Sequence, residues 1–219
     1  KPKDIESGDF YWISPNLKKQ KNLTVYATCD CTGHGVPGGF MTMLGSSFLN
    51  EIVNEKGIIE PNKVLDLLRD RIILALKQSG AEGENKDGMD MVFCALDKDK
   101  LKLYYSAANN GFYIIRNDEL LEHKTDKQPI GLFNEKKPFS YNEVDLQKGD
   151  MIYTFTDGYA DQFGGPKGKK FKYKQLEETL LHIYKRSMPE QKEILDRAIT
   201  EWMGDYEQID DILIIGIRV

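Results

Sequence analysis

Runs of apolar alternation, interrupted by two separate blocks of helical periodicity, constrain this chain more than any other feature of its sequence. "DFYWIS" and "LTVYATCD" read as strands joined by the polar connection "PNLKKQKN" with Pro15 and Asn16, and such a pair forms an antiparallel hairpin. Pro37 suits the first turn of a helix, with Phe40, Leu44, Phe48 and Ile52 at four-residue intervals and Gly57 beyond the end. "NKVLDLLRDRIILALKQSG" predicts a second helix, with Val64, Leu67, Leu68, Ile72, Ala75 and Leu76 on one face and an end at Gly80. From Asp90 the period returns to two, through "MDMVFCALD", "KLKLYYSAA", "GFYIIRN", "ELLEHK", "FSYNEVDL" and "MIYTFTD". Helices are then expected over roughly Lys174 to Ser187 and Pro189 to Met203, and "DILIIGIRV" closes the chain as a strand. Antiparallel sheets need apolar cover, so helical pairs placed between strand groups predict an α+β fold with helices outside a mostly antiparallel β centre.

A length of 219 residues fits one domain with a sizeable core, spanning residues 1–219. No apolar run reaches the length of a membrane span. The opening "KPKDIESGDF" has neither an initiating Met nor an apolar signal core, which reads as a piece of a longer protein with a regulatory region upstream. Cys29, Cys31 and Cys94 fall within strand-like runs and not at disulfide-framework spacings, which predicts free thiols in a reducing, cytoplasmic compartment. A net charge of −5 argues against a nucleic-acid partner. The basic cluster "GPKGKKFKYK" reads as a solvated loop rather than a substrate contact.

Carboxylates mark the ends of the strands. Asp9 opens the first and Asp30 ends the second, so a hairpin sets them side by side at one sheet edge. Asp157 ends "MIYTFTD", and Asp210 and Asp211 begin the last strand, where antiparallel neighbours would bring them together as well. Like charges gathered so closely raise one another's pKa or require a cation. Oxygen-only ligands select Mg²⁺ or Mn²⁺, and two such ions about 3.5–4 Å apart hold a bridging hydroxide and bind phosphate oxygens. Gly8, Gly33 and Gly158, beside these acids, would let the backbone turn or approach closely. The stretch "VYATCDCTGHGVPGGFM" admits two other readings, and both fail. A phosphate loop needs a lysine that "GVPGGFMT" lacks, and Cys29 and Cys31 flank Asp30 with no second pair at zinc-ligand spacing.

"SGDFYW", "DCTGHGVPGGFMTMLG", "DGMDMVFCALD", "SAANNGFYIIRN", "KQPIGLF", "YTFTDGYADQFGG" and "EQIDDILIIGIRV" together resemble the SpoIIE/RsbU-like branch of the PPM serine/threonine phosphatases, in the family's order and over nearly the whole chain. The resemblance implies a four-layer α-β-β-α sandwich with a metal site at one end of two stacked sheets. By matching positions it implies Asp9, Asp30, Asp157 and Asp210 as metal ligands, with Asp30 bridging two Mn²⁺ or Mg²⁺ ions and Cys31 offering its backbone carbonyl. Asp211 is the second choice beside Asp210, since pattern alone does not separate them. The implied reaction is hydrolysis of phosphoserine or phosphothreonine on a bacterial signalling protein, such as an anti-sigma-factor antagonist, by in-line attack of the metal-activated hydroxide. His34 is a candidate proton donor to the leaving oxygen. Its alternative role is helix entry with a hydrogen bond to backbone.

The sequence departs from the family in several places. A phosphate-binding arginine precedes the first acidic ligand in eukaryotic relatives, whereas "KPKDIE" offers only Lys1 and Lys3, and this leaves phosphate capture to the metals. Gly39 stands where the family often has Ala and loosens the helix start; Leu213 stands for Thr. The joining of Asp30 to the helix near Pro37 predicts control through that helix, by an upstream sensory or regulatory segment or by homodimerisation. Two alternatives stand beside the enzyme: a catalytically silent module of the same fold that binds a partner, and a metal-dependent phosphoesterase acting on small molecules.

Overall fold

The structure, a computed structural model, describes residues 1–14, 22–81 and 86–219; the connection through Pro15 and Asn16 lies outside these residues. In chain order the elements are β1 (Asp9–Ser14), β2 (Leu23–Cys31), α1 (Gly35–Leu49) running into a π-helical stretch (Asn50–Glu55), α2 (Pro61–Ala75), β3 (Met89–Asp97), β4 (Lys102–Ala108), β5 (Phe112–Arg116), β6 (Glu119–Glu122), β7 (Asn142–Asp145), β8 (Met151–Phe155), α3 (Gly158–Asp161), β9 (Phe163–Gly164), β10 (Lys169–Lys170), α4 (Tyr173–Ile183), α5 (Met188–Met203) and β11 (Ile214–Arg218). One sheet has the order β1-β2-β3-β4-β7 and a second β11-β8-β5-β6, with β9 and β10 a separate ribbon. Every pairing between these named strands is antiparallel, and a single-residue parallel bridge joins Ala108 to Asp126.

Strand alternation sorts the core into layers. In β2, Val25, Ala27, Cys29 and Cys31 pack with Leu49, Val64, Leu68 and Ile72 of the first helical pair. The intervening Tyr26 packs instead with Val92, Cys94, Phe112, Ile114 and Ile152 between the sheets. Beyond the second sheet, Tyr153 and Phe155 pack with Leu176, Leu180 and Ile199 of α4 and α5. The layers therefore run helix, sheet, sheet, helix, as expected for the α-β-β-α sandwich. A buried polar contact crosses the middle of the inter-sheet layer: the hydroxyls of Thr28 and Thr154 lie 2.6 Å apart. All three cysteines are buried free thiols.

α1 buries more than the face its large apolar residues mark: Leu44, Phe48 and Ile52 pack on the core as expected, but the helix is centred on a glycine-containing stripe beside them. Gly38, Met41, Gly45 and Leu49 face inward, whereas Phe40 is 63% and Met43 69% exposed. Glycine is the cause. A Cβ at Gly38 would stand 2.9 Å from the Cα of Gly8, and one at Gly45 would stand 2.8 Å from the ring of Phe10, so the helix docks by its bare backbone. A moment built on side-chain hydrophobicity registers nothing at such positions. Gly39 is also crowded, its notional Cβ 3.1 Å from that of Glu6.

α2 stops at Ala75, short of Gly80, because Lys77 takes a left-handed conformation at φ 51°. The basic cluster is more structured than a solvated loop: Lys169 and Lys170 form β10, Lys170 Nζ bonds Asp161 at 2.7 Å, and Phe171 is buried. Among the described residues no helix is long and apolar enough to cross a membrane.

Candidate active site

The hairpin register sets Asp9 opposite Asp30, and the next pairing sets Asp30 opposite Asp90, so three carboxylates line up across β1, β2 and β3. Directly opposed residues share a face, here the one turned toward the second sheet. That sheet supplies the others from its edge: Asp157 follows β8, and Asp210 and Asp211 precede β11, which pairs with β8. The backbone N–H of Asp157 lies 3.5 Å from Asp30 Oδ2.

Close backbone approach makes this junction feasible. A Cβ at Gly158 would fall 1.9 Å from the carbonyl oxygen of Asp211, and one at Gly8 would fall 2.4 Å from that of Gly33. Neither position has room for a side chain. Gly33 itself turns at φ 81°, which glycine adopts without strain.

Asp211 holds the site's frame. Its carboxylate is 2% exposed and accepts the backbone N–H groups of Lys3 and Gly8 at 2.7 Å each, with Asp9 N–H at 3.4 Å. Its own N–H donates to Asp210 Oδ1 at 2.8 Å. Asp210 is less buried than Asp211, so the two neighbouring aspartates occupy distinct environments. Thr156 ties the sheets together: its hydroxyl donates to Asp9 Oδ2 at 2.5 Å and accepts the N–H of Leu213 at 3.1 Å.

Burial and mutual repulsion push the acids up. Asp9 rises to about 8 through burial, then through Asp211, Asp210 and Asp157, against the opposing hydrogen bond from Thr156. Asp30 rises to about 9 through burial, then through Asp9 and Asp157. Asp157 rises to about 6 through burial, then through Asp210, Asp161 and Asp90. Asp90 is also raised by burial, restrained by the hydrogen bond from Asn109 Nδ2 at 2.8 Å and by the charge of Lys127. Tyr173 senses the same field, its phenol pushed up to about 12 by burial and then by Asp157, Asp161, Asp30 and Asp90.

This donor set fits a hard divalent ion in its chemistry: oxygen only, anionic and partly dehydrated. Among the described residues, however, no three Asp, Glu, His or Cys side chains stand close enough to enclose an ion as they are arranged. Asp9, turned toward Thr156, is one side chain that would need to rotate.

Cys31 turns its buried thiol to the helical side of the sheet, where burial and then the charge of Asp30 raise it. His34 enters α1 as its N-terminal cap residue but makes no capping bond. Its ring bonds side chains rather than backbone: Nδ1 lies 2.7 Å from Asp4 Oδ2 and Nε2 lies 3.2 Å from Lys3 Nζ. The role given to backbone in the helix-entry reading is thus taken by the N-terminal segment.

Asp90, Thr156 and the clamping use of Asp211 are the features that reading the sequence missed. Asp90 stands near the start of its strand as Asp9 does, but it pairs with Asp30 across the two helices of the first layer and not within a hairpin.

The profile of the family described as Stage II sporulation protein E (SpoIIE) matches residues 20–219. No match was found among curated protein sequences. Among solved structures, the chain is similar to the SiaA-PP2C domain of Pseudomonas aeruginosa, with TM-score 0.87 and 28% identity over 100% of this chain and 83% of that one. It shares the fold of the PP2C phosphatase domain, with a fragment of the regulatory domain, of SpoIIE from Bacillus subtilis (TM-score 0.75, 17% identity, 99% and 59% covered). It also shares that of the RsbU and RsbW domains of a Mycobacterium tuberculosis protein (TM-score 0.72, 16% identity, 98% and 56% covered).

Proposed function

Because the chain belongs to the SpoIIE family of PPM/PP2C-type serine/threonine phosphatases, we propose that it hydrolyses phosphoserine or phosphothreonine on a signalling protein of the cytoplasm. In this proposal residues 1–219 form one catalytic unit under the control of an upstream regulatory region or a second copy. The observation that supports the reading is the gathering of Asp9, Asp30, Asp157 and Asp210 from four separate segments at the junction of two sheets.

Asp9, Asp30, Asp157 and Asp210, with the carbonyl of Cys31, would hold two Mn²⁺ or Mg²⁺ ions. When bound, such ions lower the pKa of water and neutralise charge on phosphoryl oxygens. The chain's own work is to hold these ligands in a dehydrated recess. Asp211 fixes the backbone of Gly8 and Asp9, and the Asp9 carboxylate would exchange its bond from Thr156 for the metal. His34, tied to Asp4 and Lys3, would protonate the leaving oxygen only after that contact opens.

The hydrogen bond that turns Asp9 toward Thr156 favours a second reading, a silent module that binds a partner without turnover. Hydrolysis of p-nitrophenyl phosphate and of a phosphoserine protein with Mn²⁺ separates the two. Metal-dependent turnover lost in Asp30→Asn supports the enzyme, and no turnover by folded protein supports the silent module. Preference for free nucleotides over the phosphoprotein would instead identify a small-molecule phosphoesterase.

A further inference from the structure

Beside the acids lies a cleft of about 620 Å³ whose rim includes Asn109, Asn110, Tyr113, Lys127, Tyr173 and Glu177. Its walls come from the β4–β5 turn, the segment after β6, the end of β8 and the start of α4, so both sheets and the outer helical layer meet there. The acid row reaches it through Asn109, whose side chain bonds Asp90 and whose backbone N–H donates to the carbonyl of Asp126 at 2.9 Å. Asp126 N–H in turn donates to the carbonyl of Ala107 at 2.9 Å. This pairing sets Lys127 beside the Asn109 turn, at the end of the cleft nearest the carboxylates.

The lysines near the acids differ in what they already hold. Lys170 is bonded to Asp161, and Lys3 is spent on His34. Among the described residues Lys127 has no ion-pair or hydrogen-bond partner, and it is exposed. It is therefore free to meet an arriving anion. Two buried polar atoms without a partner, Asn110 Nδ2 and His123 Nε2, belong to residues lining the same cleft. Buried polar atoms are ordinarily satisfied, so such atoms at a cleft wall are candidates for bonding a ligand once side chains adjust. Tyr113, Phe155 and Tyr173 form an aromatic wall, with Tyr113 4.9 Å and Tyr173 6.1 Å from Phe155 between ring centroids, and Glu122, Lys124, Thr125 and Glu177 complete the lining. A cationic end, amide donors and an aromatic floor suit an extended polypeptide bearing a phosphoryl group.

Resting on the phosphatase reading above, we propose that this cleft seats the polypeptide flanking the phosphorylated residue, with Lys127 at its inner end binding the phosphoryl oxygens. Lys127 thereby supplies the cation that the segment before Asp9 does not. It is a binding and positioning group that transfers no proton. Tyr173 and the Asn109–Asn110 turn contact the peptide beyond the phosphoryl group.

The test compares the parent with Lys127→Ala, Lys127→Arg and Tyr173→Ala on p-nitrophenyl phosphate and on a phosphothreonine hexapeptide, together with amide chemical shifts on adding inorganic phosphate in Mg²⁺. Loss of a charge-assisted bond should raise KM for both esters by about tenfold in Lys127→Ala, with kcat changed less, and arginine should restore most of it. Tyr173→Ala should raise KM for the peptide more than for the small ester. Phosphate should shift the amides of residues 109–111 and 127 in the parent and not in Lys127→Ala. A KM within twofold of the parent for both esters in Lys127→Ala overturns the assignment. If the parent hydrolyses neither ester, the phosphatase reading fails by itself, and the phosphate titration still decides the anion site: shifts confined elsewhere, or none, sink it.

Discussion

The backbone of Gly158 passes so close to that of Asp211 that a Cβ on the glycine would lie 1.9 Å from the aspartate's carbonyl oxygen. That contact joins the turn carrying Asp157 to the segment carrying Asp210. Gly158→Ala must push the two apart, and the relief has to come from backbone because no flexible side chain is involved. We predict a loss of about 3 kcal/mol in chemical denaturation, together with weaker Mn²⁺ binding by calorimetry. A variant as stable as the parent would mean that the approach is looser in solution.

Asp30→Asn should abolish metal-dependent turnover and leave the circular dichroism spectrum unchanged. It removes one of several carboxylates crowded in a partly buried row, so the melting temperature without metal should hold or rise. Turnover near that of the parent in excess Mn²⁺ would remove Asp30 from the metal site.

His34→Ala should reduce turnover by no more than about threefold if the imidazole serves to hold Asp4 and Lys3. Both partners are exposed, so little stability is at stake. A large loss on a phosphopeptide that disappears on p-nitrophenyl phosphate, whose leaving group needs no proton, would mark a general acid.

His123 stacks on Phe112 with ring centroids 4.7 Å apart, and its pKa is lowered by burial first and then by the charge of Arg116. The folded state therefore resists a proton that the unfolded chain accepts near 6.5. Stability from this group is complete above that value and is lost as pH falls below it. The urea midpoint of the parent should drop between about pH 7 and pH 5 more steeply than that of His123→Phe, which keeps the stack without the titration. Parallel pH profiles would remove His123 as the cause.

Arg69 lies on α2 but is 3% exposed, and it donates to Gln128 Oε1 at 3.0 Å, the carbonyl of Lys137 at 2.7 Å and Asp66 Oδ1 at 2.7 Å. It fastens the segment following Lys127 to the first helical layer. Arg69→Ala should cost about 2–4 kcal/mol, since it removes three hydrogen bonds made by a buried guanidinium and leaves its space empty, while Arg69→Lys recovers only part because it cannot reach three acceptors at once. Equal stability of parent and alanine variant would show that the segment is held by other contacts.

What could be read from the sequence followed the range of the interactions. Asp9 and Asp30 meet across a hairpin, and strand alternation with a short connection suffices to set them side by side. The meeting of Asp157 with Asp210 followed from antiparallel neighbours in the same way, but the stacking of two sheets that brings both pairs to one junction came from the family resemblance, because no local pattern states it. On α1 the packing of Leu44, Phe48 and Ile52 was legible, but the exposure of Phe40 was not, because the helix docks most closely where Gly38 and Gly45 lack side chains. Asp90 escaped because its register with Asp30 depends on a pairing that spans both helices of the first layer. Thr156, a residue with no charge and no periodic partner, carries no sequence signal of its bond to Asp9.

The hydrogen bond from Gly8 to the Asp211 carboxylate spans 203 positions of chain. On a ribosome the first hairpin emerges long before the segment that anchors its acidic end. Until β11 docks, Asp9 and Asp30 belong to a sheet whose partner is incomplete, and its carboxylates remain hydrated and spaced by their own repulsion. Contacts of such sequence separation form late, after the local pairings have shortened the loops they must close. Gathering of all the carboxylates therefore waits on the segment before β11: without it Asp210 is missing from the cluster and the backbone of Gly8 loses the Asp211 carboxylate that anchors it.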